Sequence, residues 1–306
     1  MDPHILFMGS SEFSVPIFEQ LYKENWIQAV ITQPDKPTGR GKKLESPLVK
    51  NVAELLHLPV YQPGKLVREE IIKILDYHNI DLIIVAAYGK ILPAWMLEYP
   101  KHGALNVHAS LLPRWRGASP IQSAILHGDR STGVTIMKID EGLDTGDILT
   151  QETLEISKND TADSLSEKLA NIGAKLLKKT TGEFLNGEII PQKQNSEEAT
   201  ISRLIRKEDG RLDFQDTADI LERKIRAYNP WPICFYEWDS ECLRIYEAEI
   251  SSTGSLKPNQ RGVIDKYPCV GTSTTPLVLK TVQPPGKARM EGKSFLNGAK
   301  NWLIAQ

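Results

Sequence analysis

What this chain lacks narrows it first. Its 306 residues hold three cysteines, Cys234, Cys242 and Cys269, an odd number, widely spaced and without a Cys-x-x-Cys pair. Neither a disulfide framework nor a zinc site is suggested, and the usage suits a reducing cytosol. Charge of one sign is missing too: 37 Lys and Arg face 39 Asp and Glu, a formal net charge of -2. Only local clustering could therefore argue for a polyanionic partner. No run approaches the roughly 20 apolar residues of a membrane span. The opening "MDPHILFMGSSEF" starts with an acid and carries too short an apolar run for a signal peptide. A cytoplasmic protein with no membrane partner is expected.

Familiar catalytic signatures are also missing. No Gly-x-Ser-x-Gly elbow occurs, no Walker loop, and "GSSEFS" stands where a Gly-x-Gly-x-x-Gly would follow the first strand. Transfer without a covalent enzyme intermediate is favoured, and a nicotinamide dehydrogenase is disfavoured.

What is present is an alternation. "HILFMG", "IQAVITQ", "DLIIVAAYG", "ALNVHAS" and "GVTIMKID" are short, nearly continuous apolar runs separated by longer amphipathic stretches. That pattern predicts an open, mostly parallel Rossmann-like α/β sheet covered on both faces. The first crossover helix begins in "SVPIFEQLYKEN", with Phe13, Ile17 and Leu21 on one stripe. Ligands in such sheets sit beyond the carboxyl ends of the strands, which is where Tyr88-Gly89, His108 and Asp140 are expected. A helix capped by Asp160 follows, with Leu165, Leu169, Ile172 and Leu176 on one face and Asn186-Gly187 as its stop. Residues 189–207 lose periodicity and read as a linker between a domain at 1–188 and another at 208–306. The last part gives a helix in "DTADILERKIRAYNPWP", then "ICFYEW", "LRIYEAEI", "GVIDKY" and "PLVLKTV", short strands that predict a small OB-type β-barrel.

Three stretches carry chemistry. In "NVHASLLPRWRG" the side chains of Asn106 and His108 leave one strand on the same face. An amide can donate to a developing oxyanion and an imidazole can move a proton near neutral pH, so the pair suits addition to a carbonyl. A strand-end histidine satisfied by its neighbours is the plainer alternative. In "KIDEGLDTGDIL" four acids and two glycines follow a strand, and Asp144 could reach and orient an imidazole. The spacing does not fit an EF-hand loop, and no metal is expected. In "PDKPTGRGKKLESP" Lys36, Arg40, Lys42 and Lys43 sit among prolines and glycines, either a phosphate-tracking arm or solvated surface. A second basic cluster, Lys280, Lys287, Arg289, Lys293 and Lys300, faces the single acid Glu291.

Together "NVHASLLPRWRGASPIQ" and "TGVTIMKIDEGLDTGDIL" resemble the formyltetrahydrofolate-dependent formyltransferase family, and the resemblance continues through "QPDKPTGRGKKLESP", "AAYGKILP", "IRAYNPWP" and "VQPPGKARM". It implies that Asn106, His108 and Asp144 are catalytic. It implies that Ser110, Leu111, Leu112 and Pro113 line a folate pocket, with Tyr88, Gly89, Ile91, Leu92, Ile139 and Asp140 helping to hold the pterin. The implied co-substrate is 10-formyltetrahydrofolate and the implied acceptor is the α-amine of initiator methionyl-tRNA, formylated by direct attack through a tetrahedral intermediate. The arm carrying Lys36, Arg40, Lys42 and Lys43 would contact that tRNA, as would the C-terminal domain. A monomer is expected. The places of Arg114 and Arg116, toward the tRNA end or within the loop itself, stay open. So do a sugar-nucleotide acceptor, hydrolysis of the formyl folate, and RNA binding without catalysis.

Overall fold

The computed structural model describes residues 2–38, 43–238, 241–299 and 301–303. The backbone divides into two compact units, one of residues 1–120, 131–155 and 166–203, the other of residues 121–130, 156–165 and 204–306. This division differs from the boundaries expected at 188 and 208. Residues 189–203 belong to the first unit rather than to a linker, and two short segments, 121–130 and 156–165, belong to the second.

In chain order the structure begins with β1 (Ile5–Gly9), α1 (Ser14–Lys23), β2 (Ile27–Ile31), β3 (Lys36–Thr38), β4 (Lys43–Glu45), α2 (Leu48–Leu55) and β5 (Val60–Tyr61). It continues with α3 (Arg68–Tyr77), β6 (Leu82–Ala86), α4 (Ala94–Glu98), β7 (Ala104–His108), β8 (Arg116–Gly117) and α5 (Pro120–Leu126). Then come β9 (Ser131–Lys138), β10 (Ile148–Glu155), α6 (Ala162–Leu185) and β11 (Ile201–Ser202). Seven strands of the first unit form one sheet in the order β10-β9-β7-β6-β1-β2-β5. From β7 to β5 every pair is parallel. The central strands β1 and β6 are buried along their whole length, as continuous apolar runs require.

The run "GVTIMKID" forms a strand as expected, but β9 lies antiparallel to β7, with Leu105 opposite Lys138 and His108 opposite Thr135. Residues after Lys138 therefore lie beside the start of β7, and the Ile139 amide donates to the Ala104 carbonyl at 2.9 Å. The sequence pattern puts Asp140 directly beyond a strand that runs the same way as those of Tyr88 and His108; the reversed strand instead sets its neighbour Ile139 beside Ala104, and Asp140 is bonded to Thr145 within the loop. The loop then returns, closed where the Lys138 amide donates to the Asp147 carbonyl at 2.9 Å.

Two helices refine the pattern expected of them. In α1 the buried stripe is Ile17, Phe18 and Leu21, while Phe13 sits at the N-cap and is only half-buried. Phe18 meets Phe7 of β1 edge-on at 5.4 Å. In α6 the cap is Thr161, not Asp160: the Ser164 amide donates to Thr161 Oγ1 at 3.2 Å and the Thr161 amide to Ser164 Oγ at 3.1 Å. The Asp160 carboxylate accepts instead from the Ser157 amide and the Ser164 hydroxyl. Leu169, Gly173 and Leu177 are buried, and Ile172 and Leu176 only half so. A Cβ on Gly173 would stand 3.0 Å from Val107 Cγ1 and 3.4 Å from Val134 Cγ1, so the bare glycine lets α6 lie close on β7 and β9.

The second unit carries α7 (Ala218–Ala227), β12 (Cys234–Trp238), β13 (Glu241–Ile250), β14 (Arg261–Ile264), β15 (Tyr267–Val270), β16 (Leu277–Gln283), β17 (Met290–Glu291) and α8 (Gly292–Gly298). Its sheet is antiparallel, ordered β12-β13-β16-β15-β14 with β17 paired to β16. "GVIDKY" is not one strand but a hairpin. Asp265 and Lys266 both take positive φ, 50° and 67°, as a two-residue turn of this hand requires. Trp238, Phe295 and Trp302 form the aromatic heart of this unit, with centroids 5.3 to 5.7 Å apart. Among the described residues no helix is long and apolar enough to cross a membrane.

Candidate active site

Asn106 and His108 alternate on β7, and the returning acid loop brings Asp144 to both. Asn106 Nδ2 lies 3.5 Å from Asp144 Oδ1, and His108 Nδ1 lies 3.6 Å from Asp144 Oδ2. His108 is 5% exposed. Its Nε2 lies 3.0 Å from the Trp115 carbonyl, which can only accept, so Nε2 carries a proton and Nδ1 is left facing the carboxylate. The Gly117 amide donates to Asp144 Oδ2 at 2.8 Å, closing the group. Both Asn106 and His108 approach the carboxylate at more than the ~2.7–2.9 Å of a charge-assisted hydrogen bond. These donors are aimed without being consumed, as apo sites often are.

Backbone strain accompanies this geometry. Asp144 has φ 52° and Trp115 φ 60°, left-handed conformations that cost about 1–3 kcal/mol for residues other than glycine. Residues 192–202 supply the partners that hold them. The Trp115 amide donates to Thr200 Oγ1 and the Arg116 amide to the Thr200 carbonyl, each at 2.8 Å. β8 then pairs in parallel with β11, Gly117 opposite Ser202. Gly117 has φ 107°, and a Cβ there would lie 2.6 Å from the Ser202 carbonyl, so glycine is required twice over. Gln194 donates through Nε2 to the carbonyls of Asp144 and Gly146, both at 2.8 Å, and accepts from Arg116 Nε at 2.9 Å. Arg116 is 6% exposed and fixed within the loop, whereas Arg114 is exposed and lies over the Trp115 ring at 4.4 Å.

The residues expected around a folate divide. Ser110, Leu111, Leu112 and Pro113 do form a turn directly after β7, but its polar groups hold the turn itself. Ser110 Oγ donates to the Arg114 carbonyl at 2.5 Å, Thr135 Oγ1 donates to the Ser110 carbonyl, and the Leu112 amide donates back to Thr135 Oγ1. Gln151 Nε2 reaches both the Leu112 carbonyl and Thr135 Oγ1. Tyr88 and Leu92 are buried in one apolar cluster with Leu6, Met8 and Met96, and Ile139 packs against it. Burial raises the Tyr88 phenol above its ordinary pKa, and its hydroxyl has no partner among the described residues. Ile91 is 86% exposed and Leu143 56%. The Asp140 carboxylate accepts from the Gly142 amide and the Thr145 hydroxyl, inside the acid loop. Thr135, Gln151, Gln194 and Thr200 are beyond the reach of the sequence pattern. Only Thr135 leaves a signal there, a polar residue inside the apolar run "GVTIMK".

The basic stretch forms a hairpin of β3 and β4, Lys36 opposite Glu45 and Thr38 opposite Lys43. Lys36 is exposed on it. Arg40 and Lys42 lie outside the described residues. At its base Asp35 accepts from Gln62, Lys50 and Ser46 at 2.7 to 3.0 Å, which hold its carboxyl below the usual range. In the second basic cluster Lys280 is paired with Glu249 at 3.1 Å, Lys280 and Lys293 both lie over the Tyr267 ring, and Arg289 lies over Tyr246. Lys300 lies outside the described residues. Among the described residues no group of three His, Cys, Asp or Glu side chains could hold a metal ion.

Residues 4–181 match the family model for formyl transferase, and residues 204–300 match that for the formyl transferase C-terminal domain. The chain is 42% identical over 304 residues to methionyl-tRNA formyltransferase of Pseudoalteromonas translucida (strain TAC 125), covering 98% of this chain and 95% of that one. The solved methionyl-tRNA formyltransferase from Clostridium thermocellum shares the fold at TM-score 0.59 and 18% identity, over 94% of this chain and 99% of that one. HypX from Aquifex aeolicus, solved in complex with tetrahydrofolic acid, shares it at TM-score 0.66 and 16% identity over 100% of this chain, which spans 48% of HypX. With one family model spanning more than half of the sequence and a relative of this identity along nearly all of it, the chain belongs to the formyl transferase family.

Proposed function

We propose that this chain transfers the formyl group of 10-formyltetrahydrofolate to the free α-amine of initiator methionyl-tRNA. The observation that carries the reading is the convergence of Asn106 Nδ2 and His108 Nδ1 on Asp144 across 3.5 and 3.6 Å. Neither donor is held at full hydrogen-bond distance by the carboxylate, so each is available to a substrate oxygen at the ~2.7–3.1 Å that stabilises an oxyanion. The acceptor is supported by the name of a relative 42% identical along 98% of this chain. The exposed side chains of Ile91 and Leu143 offer apolar surface that a flat pterin would cover, with backbone from Tyr88 to Leu92 to hold its polar edge.

The neutral amine, present in part at pH 7 because an α-amino group has a pKa near ~8, attacks the formyl carbon. An N–C bond forms while the carbonyl π pair moves to oxygen, where Asn106 and protonated His108 receive it. Asp144 holds the imidazolium face and balances its charge. As the oxyanion collapses, the bond to N10 breaks, N10 takes a proton, and the attacking nitrogen loses one, relayed through His108 Nδ1 or a water. The products are a formamide on the tRNA and tetrahydrofolate. No covalent enzyme intermediate is needed.

The test is purified protein with 10-formyltetrahydrofolate and charged initiator tRNA, scoring formyl-methionine on the tRNA and folate release without it. Tetrahydrofolate formed only when the aminoacylated tRNA is present is the expected result. Equal release in its absence would mean that water is the acceptor, and formylation of a sugar-nucleotide amine in place of the tRNA would move the reading to that substrate class.

A further inference from the structure

We infer that Gln194 is a positioning residue for this reaction, holding Asp144 in its left-handed conformation from a segment that sequence pattern alone presents as a linker. The inference rests on the proposed formyl transfer. Gln194 hydrogen-bonds to neither Asn106 nor His108 but joins two backbone carbonyls to one buried guanidinium. Its Nε2 donates to the carbonyls of Asp144 and Gly146, and its Oε1 accepts from Arg116 Nε, at 2.8, 2.8 and 2.9 Å.

Only a primary amide on a two-carbon stem fills these needs at once, with one acceptor for a guanidinium and two N–H donors for two carbonyls. Carboxylate offers no donor. Asparagine is one methylene short. The two carbonyls belong to the peptide that directly follows Asp144 and to the one after Gly146, so the side chain clasps the backbone turn that begins at Asp144. With φ fixed at 52°, the carboxylate faces His108 and the Gly117 amide. Arg116 aligns the clasp. The residue is 6% exposed, its Nη2 has no partner among the described residues, and its Nε is directed at Gln194. Without the clasp Asp144 relaxes toward an unstrained φ and its carboxylate moves off the imidazole. Displacements of about 1 Å cost on the order of 10²-fold in rate.

Two substitutions test this in the full chain. Gln194→Glu keeps an acceptor for Arg116 but removes both donors, and Gln194→Met keeps the length while removing all polarity. Each is measured alone and combined with Asp144→Asn. We expect Gln194→Glu to melt within a few degrees of the parent yet to lose about 10²-fold in kcat, and either substitution to change kcat less than about twofold once Asp144 is already Asn. A side chain that only stabilised the fold would show a lowered Tm with near-parental kcat in the folded fraction, and one acting independently of Asp144 would cost the same factor in kcat with Asp144→Asn as without it; either result overturns the inference. If Gln194→Glu does not fold, the cycle with Gln194→Met decides by the same criterion. A parent protein that forms no formyl-methionine sinks the proposed function instead, and that result is read before any variant is made.

Discussion

His108 has one nitrogen on the Trp115 carbonyl and the other opposite Asp144, an arrangement that fixes which atom is left to act. Replacing His108 with Ala lowers kcat by about 10²–10⁴ without unfolding the protein. Asn106→Ala should lose about 10²–10³, the loss usual for one oxyanion donor. Steady-state kinetics on both checks this, and a His108→Ala enzyme near parental kcat with a normal melting curve would remove His108 from the mechanism. The Asn-x-His pair is legible in the sequence because strand alternation alone puts both side chains on one face. Gln194 is not, since a lone Gln in a polar stretch has no periodicity, and its partners are backbone carbonyls that leave no trace in residue type.

Among elements, strand existence is more legible than strand direction. "GVTIMKID" reads the same to a pattern of apolar residues whether it runs up or down the sheet, and the reversal at β9 decides where Asp140 and Asp144 lie. The cap of α6 slips by one residue because "NDT" offers three good capping side chains in a row, and Asp160 is used by Ser157 and Ser164. Thr161→Ala should therefore lower stability by about 1 kcal/mol, read as a fall in Tm, while Asp160→Ala acts through the hydrogen bonds to Ser157 and Ser164. The β3–β4 hairpin gives a second prediction at this scale. Neutralising Lys36, Arg40, Lys42 and Lys43 together should weaken tRNA use and flatten its salt dependence, by on the order of one unit of slope for each phosphate no longer neutralised. An unchanged slope in assays from low to moderate salt would take the tRNA away from this hairpin.

Across the whole molecule the three thiols all fall in the second unit, so their chemistry reports on that unit alone. Burial pushes the Cys234 thiol up to about 12 and the Cys269 thiol to about 11, and Cys242 is exposed with its thiol raised by partial burial. Thiolate is the reactive form, so at about pH 8 Cys234 and Cys269 stay protonated and inert. Mass spectrometry after brief alkylation should find Cys242 alone modified in the native protein and all three in denaturant. Early modification of Cys234 would show that the second unit opens under native conditions.

The acid loop is tied at its neck, where Lys138 meets Asp147. A loop fastened at both ends behaves as a ruler: changing its composition alters what it touches, but changing its length moves every mark. One inserted residue between Lys138 and Asp144 adds about 3.3 Å of chain, roughly the whole separation between the carboxylate and its imidazole. Surface loops ordinarily tolerate such insertions. This one should vary among formyl transferases in its letters and hold its count.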